Sequence, residues 1–117
     1  MNPISYAYIG DAVYELYIRN YLIKNYYKVK EMQQKSLEYV SAKSQRFHLE
    51  RLINNNFLTE EESNIYKLGR NAHGGKSKSA DIITYKIATG LECLIGYLYV
   101  NNEISRIEEI MNFIVRQ

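Results

Sequence analysis

A chain of 117 residues is long enough for one folded unit rather than two, and its 46% apolar share supplies a core, which excludes an intrinsically disordered polymer. A formal net charge of +2 is too small to mark a nucleic-acid partner by its total, and one cysteine, Cys93, excludes both a disulfide framework and a cysteine metal cluster. The start of the chain lacks the basic-then-apolar layout of a secretory leader, and Glu92 interrupts the longest apolar run short of the about 20 residues needed to cross a bilayer, so a soluble cytoplasmic protein with no membrane partner is expected.

Pro3 suits the first turn of a helix, and Tyr6, Ile9, Val13, Leu16 and Tyr17 recur at three- and four-residue steps, so a helix running to about Lys24 is expected. Val29, Met32, Leu37 and Val40 predict a second helix. Ala42, Phe47, Leu49, Leu52 and Ile53 predict a third, ending at the Asn54-Asn55-Asn56 cluster. Thr59 followed by Glu62 has capping-box spacing, so a fourth helix should begin there with Ile65 and Leu68 facing inward. From Asn71 to Ser79 the residues are small, polar or glycine, which reads as a loop, with Ser79 free to cap the next helix. Ile83, Ile87, Leu91, Leu94, Ile95 and Leu98 trace a long buried helix, although Leu94 to Val100 alone also reads as a strand. Asn102 can cap a last helix carrying Ile104, Ile107, Ile110, Met111 and Ile114 inward. No repeat, linker or alternating period-two pattern interrupts this series. The expected architecture is a single all-α domain over residues 1–117.

Charge is distributed unevenly along these elements. Lys67, Arg70, His73, Lys76, Lys78 and Lys86 fall in one stretch whose single acid is Asp81, whereas Glu60, Glu61 and Glu62 sit where they complement the positive end of a helix. Two further acids stand out by their surroundings. Asp11 lies in Tyr8-Ile9-Gly10-Asp11-Ala12-Val13, and Glu92 lies in Gly90-Leu91-Glu92-Cys93-Leu94-Ile95-Gly96. An isolated carboxylate among apolar residues is costly unless a cation or hydrogen-bond partner meets it. If the first and the long helix cross at Gly10 and Gly96, Asp11 and Glu92 meet and can hold a partly hydrated Mg²⁺, an ion suited to phosphodiester hydrolysis. Glu15 shares a face with Asp11 and can join them, or can pair with Arg19 four residues on. Spacing alone leaves Asp11 and Glu92 equally open to purely structural roles.

The segment Ala7 to Val13 resembles the signature helix of the ribonuclease III catalytic domain, and Ala88 to Tyr99 resembles its second acidic helix. Tyr8 through Arg19, the tetrapeptide Gly69-Arg70-Asn71-Ala72 and the ending Gly96-Tyr97-Leu98-Tyr99 are similar to a short bacterial branch of that family, the Mini-ribonuclease III group. The likeness spans nearly the whole chain, with its motifs in order. It implies a dimeric, all-helical endonuclease that cuts double-stranded RNA with Mg²⁺, Mn²⁺ being a workable substitute. For the Mini-ribonuclease III group it implies maturation of precursor 23S ribosomal RNA without a separate RNA-binding domain, for which a chain ending soon after Arg116 leaves no room.

Carried over residue by residue, the resemblance makes Asp11 the catalytic aspartate and Glu92 the metal-binding glutamate. It places Tyr8 at the subunit interface. Three acids of the larger enzymes are missing, their positions holding Ile4, Ala7 and Thr89, which leaves Glu15 and Thr89 as helpers beside the metal ligands. RNA duplexes are recognised by shape, phosphates and 2′-hydroxyls, and Arg70, Asn71, His73, Lys76 and Lys78 supply the matching donors and charges. The alternative is a catalytically inactive ribonuclease III-like module that binds RNA or associates with the ribosome, which the missing acids favour and the retained pair Asp11 and Glu92 disfavours.

Overall fold

The computed structural model describes residues 1–72 and 81–116, and every regular element among them is a helix. Helix α1 (Pro3–Asn25) starts with proline in its first turn, where a missing N–H costs nothing, and with Asn2 as its cap, whose side chain accepts from the Ser5 amide. It is followed by α2 (Val29–Val40), α3 (Ala42–Asn54), α4 (Glu60–Asn71), α5 (Ile82–Val100) and α6 (Ile104–Val115). The segment Leu94 to Val100, open to a strand reading in sequence, is helical.

Most boundaries have an identifiable side-chain cause. Ser41 ends α2 and caps α3, accepting from the Ser44 amide. Thr59 and Glu62 form the capping box of α4 with both reciprocal bonds present: the Thr59 amide donates to the Glu62 carboxylate at 2.9 Å and the Glu62 amide to the Thr59 hydroxyl at 3.1 Å. Two asparagines with positive φ terminate helices: Asn56 at 51° after α3 and Asn102 at 60° after α5. In each case the next amide reaches back to the helix, Phe57 to the Leu52 carbonyl and Glu103 to the Leu98 carbonyl, which is the Schellman closure. Asn102 is thus the stop of α5 rather than the cap of α6, which follows Glu103 with no side-chain cap bond. Likewise the cap of α5 is Asp81, accepting from the Thr84 amide at 3.0 Å, while Ser79 lies outside the described residues.

Helix α5 is apolar around most of its circumference and runs through the centre of the bundle, packed on α1, α4, α3 and α6. Leu91, Leu94 and Ile95 are fully buried, each contributing on the order of 2 kcal/mol from apolar burial. From α1 come Val13, Tyr14, Ile18 and Leu22, and the Tyr14 hydroxyl donates to the Tyr39 carbonyl at 2.7 Å, so this phenol is buried without an unmet polar group. From α6 come Ile107, Ile110, Met111 and Ile114.

The apolar faces read from spacing are rotated in several helices. Leu16, Val29, Leu37, Phe47, Ile53, Leu68 and Ile83 are all exposed. The inner face of α1 is set instead by Ala7 and Gly10 beside Val13 and Tyr14, and that of α4 by Tyr66 and Gly69. Small residues win these positions because they let the backbones close on α5.

Candidate functional site

The two glycines Gly10 and Gly96 mark the point where α1 crosses α5. A Cβ on Gly10 would lie 1.8 Å from the Glu92 carbonyl oxygen, and one on Gly96 would lie 1.8 Å from the Tyr6 carbonyl oxygen. Nothing larger than hydrogen fits at either place. The contact sets the next residue of α1, Asp11, beside a residue one turn before Gly96 on α5, namely Glu92.

Asp11 is exposed and Glu92 half-buried, and the two carboxyls stand close enough for the Asp11 charge to act on Glu92. Burial raises the Glu92 carboxyl first, and the neighbouring Asp11 carboxylate adds to it, pushing it from its ordinary 4.5 up to about 8. In the metal-free protein the Glu92 carboxyl therefore favours its protonated form. Replacing that proton with a divalent cation relieves the same repulsion and satisfies the same lone pairs. Among the described residues no group of three or more acids, histidines and cysteines gathers around a common point. The donor set is therefore two carboxylates at the solvent boundary, which fits a hard, oxygen-seeking ion that retains several waters.

Gln45, on the first turn of α3, is a third member of this cluster that spacing did not single out. Its side chain is buried at 3% exposure, and its Nε2 donates to Glu92 Oε2 in a long contact of 3.4 Å. The signal available in sequence was weak: one polar residue three positions before His48 and four before Leu49 on the buried stripe of α3.

The other residues singled out in sequence fall in different places. Glu15 accepts from Arg19 at 2.7 Å on the surface of α1. Thr89 is nearly buried, and its hydroxyl donates to the Tyr85 carbonyl at 3.0 Å within its own helix. Arg70 and Asn71 lie at the end of α4, the guanidinium 5.5 Å from the Tyr66 ring centroid and bonded to the Asn71 side chain. That end of α4 meets α5 near Glu92, since a Cβ on Gly69 would lie 2.3 Å from the Cys93 Cβ. His73, Lys76 and Lys78 lie outside the described residues, as does all of the expected loop except Asn71 and Ala72. Tyr8 projects from α1 with 85% of its surface exposed.

A hollow of about 600 Å³ lies along the same helix, lined by Ile9, Ala12, Leu16, Tyr17 and Tyr99 with Asn20 and Glu108 among its polar members. Among the described residues no helix is long and apolar enough to cross a membrane.

Known proteins are similar to this chain in sequence and in fold. The ribonuclease III domain family model matches residues 4–103. A protein of Enterococcus faecalis named Mini-ribonuclease 3 is 40% identical over 100% of this chain and 90% of its own length. Proteins of the same name from Staphylococcus aureus and Brevibacillus brevis are 41% identical over 98% of this chain and 87% of their own length, and 46% over 94% and 82%, respectively. A crystal structure of a protein from Fusobacterium nucleatum superposes with a TM-score of 0.86 at 30% identity, covering 99% of this chain and 93% of that one.

Proposed function

The chain belongs to the ribonuclease III family of endoribonucleases, and on that premise we propose that it is a cytoplasmic homodimer that cleaves double-stranded RNA with Mg²⁺ held by Asp11 and Glu92, maturing precursor 23S ribosomal RNA. The observation that carries the proposal is the convergence of those two carboxyls at the α1–α5 crossing, where the Asp11 charge acts on Glu92. Isolated acids in apolar segments are expensive, and their convergence at the solvent boundary gathers carboxyl oxygens with no protein cation bonded to them among the described residues. When bound, a divalent ion there supplies Lewis acidity toward a phosphodiester oxygen and makes water a better nucleophile at neutral pH. Mn²⁺ has the same preference for oxygen ligands and is a workable substitute.

Arg70 and Asn71 stand on the neighbouring end of α4 and are suited to grip phosphate and sugar, with His73, Lys76 and Lys78 following in sequence. Glu15 and Thr89 have partners of their own, so their part is to stiffen α1 and α5 around the acids.

The dimer reading is supported by the apolar face of α1. Tyr8 and Leu16 are 85% and 65% exposed on α1, and Leu16 lines the hollow with Ile9 and Tyr99, a surface better covered than left in water. A two-fold axis through that face would present one acidic pair to each strand of a duplex. The choice of precursor 23S ribosomal RNA rests on the resemblance to the Mini-ribonuclease III group.

The test is incubation of long duplex RNA with the purified protein. Cleavage of both strands with Mg²⁺, abolished by EDTA and absent on single-stranded RNA, is the expected result. Duplex that is bound but left intact with Mg²⁺ would select the alternative, an inactive RNA-binding or ribosome-associated module.

A further inference from the structure

Among the described residues the Glu92 carboxyl stands beside Asp11 and accepts a hydrogen bond from the Gln45 side-chain amide at 3.4 Å. We propose that Gln45 is a positioning residue of the acidic site, its side-chain N–H holding Glu92 in the orientation in which it shares a divalent cation with Asp11. This rests on the reading of the two acids as a cation site.

Gln45 occupies an expensive place. Its neighbours on the buried stripe of α3 are His48, Leu49 and Leu52, and ordering a glutamine there costs rotamer freedom that a smaller apolar residue would largely avoid. The compensation lies at Glu92. A buried amide donor left without an acceptor is destabilising, and the Glu92 carboxyl is the acceptor that the Gln45 side chain reaches.

The backbone beneath it is firmly held. The Gln45 amide donates to the Ser41 carbonyl at 2.8 Å, the Ser44 amide to the Ser41 hydroxyl at 3.1 Å, and the Ser44 hydroxyl to the Leu37 carbonyl at 2.8 Å. The residue type also fits the task. An arginine or lysine would neutralise Glu92 and compete with a cation, and a third carboxylate would add repulsion. A neutral donor orients the carboxylate while leaving its charge available. Glu15 and Thr89, the helpers suggested by sequence, are bonded to Arg19 and to the Tyr85 carbonyl instead.

The experiment measures Mn²⁺ binding by calorimetry in the absence of RNA, on the wild type, Gln45→Met and Asp11→Asn. Methionine keeps the length and fills the space without the donor. Gln45→Met should melt cooperatively, bind metal-free duplex RNA as the wild type does, and bind Mn²⁺ roughly 10- to 100-fold more weakly. It should lower kcat with KM for RNA unchanged. Mn²⁺ affinity within twofold of the wild type would overturn the positioning role. If Asp11→Asn also retained full affinity, the cation site itself would be wrong, whereas loss in Asp11→Asn alone would discard only Gln45. Should Gln45→Met fail to fold, the wild-type protein decides by NMR: the Gln45 side-chain N–H resonances should shift on Mg²⁺ addition with the midpoint of binding, and their immobility would overturn the proposal.

Discussion

Gly10 and Glu92 touch backbone to backbone, for a Cβ at position 10 would lie 1.8 Å from the Glu92 carbonyl oxygen and 2.7 Å from the Gly96 amide nitrogen. Neither neighbour is a flexible side chain that can move aside. Gly10→Ala therefore has to push α1 off α5, which separates the acidic pair while opening the core. A loss of about 3 kcal/mol is expected, the upper end for overpacking because both obstructing groups are main chain. Urea unfolding of the variant measures it, and a loss under about 1 kcal/mol would mean that the helices are free to slide.

Glu92 gives the metal-free protein a pH dependence of definite sign. Its folded carboxyl is raised from 4.5 to about 8, chiefly by burial and then by Asp11. As pH climbs, the unfolded chain releases this proton first while the folded chain retains it, so Glu92 costs stability progressively between about pH 5 and pH 8. His48 works the other way. Burial lowers it below its ordinary 6.5, a bond to the Glu38 carbonyl resists, and the Arg51 charge adds to the lowering, so stability drops as pH falls through 6.5. Subtracting Glu92→Gln isolates the first effect. In EDTA, the urea midpoint of the wild type relative to Glu92→Gln should fall as pH rises across that window, and a difference flat with pH would show that the Glu92 carboxyl titrates normally in the fold.

Much of this arrangement was legible in sequence, and the exceptions have physical causes. Pro3 and the Thr59–Glu62 pair announced two helix starts because their chemistry fits few other places. Asp11 and Glu92 were conspicuous as acids among apolar neighbours, and the flanking glycines suggested where their helices meet. Asn102 misled because asparagine serves equally as an N-cap and as a left-handed stop, and only the tertiary path decides. Leu68 and Phe47 misled because hydrophobic periodicity cannot see that Gly69 and Gln45 are the residues that close contacts select for the interior. Gln45 was invisible for the same reason: a polar residue on an amphipathic helix reads as solvent-facing until its partner is known.

Arg106 ties α6 to α4 through Glu62, with bonds of 2.7 Å and 2.8 Å to its two oxygens, and also donates to the Phe57 carbonyl. The Glu62 side chain is 8% exposed. Arg106→Met would strand that carboxylate, which the Thr59 capping bonds satisfy only in part. A destabilisation of about 3 kcal/mol is expected in urea unfolding, well above the value of an exposed ion pair. A change under about 1 kcal/mol would show that water replaces the guanidinium.

Asp11→Asn retains the shape of the side chain and removes its charge. Cleavage of duplex RNA should disappear, while melting temperature and metal-free RNA binding stay near those of the wild type. Cleavage at the wild-type rate would take Asp11 out of the chemistry.

Whether the two acids share an ion is read most directly from a crystal soaked with Mn²⁺, by its anomalous scattering. The expected result is a peak ligated by Asp11 and Glu92 of the same protomer, each directly or through one water. An ion bound elsewhere, or carboxylates turned away from a common point, would refute the shared cation site.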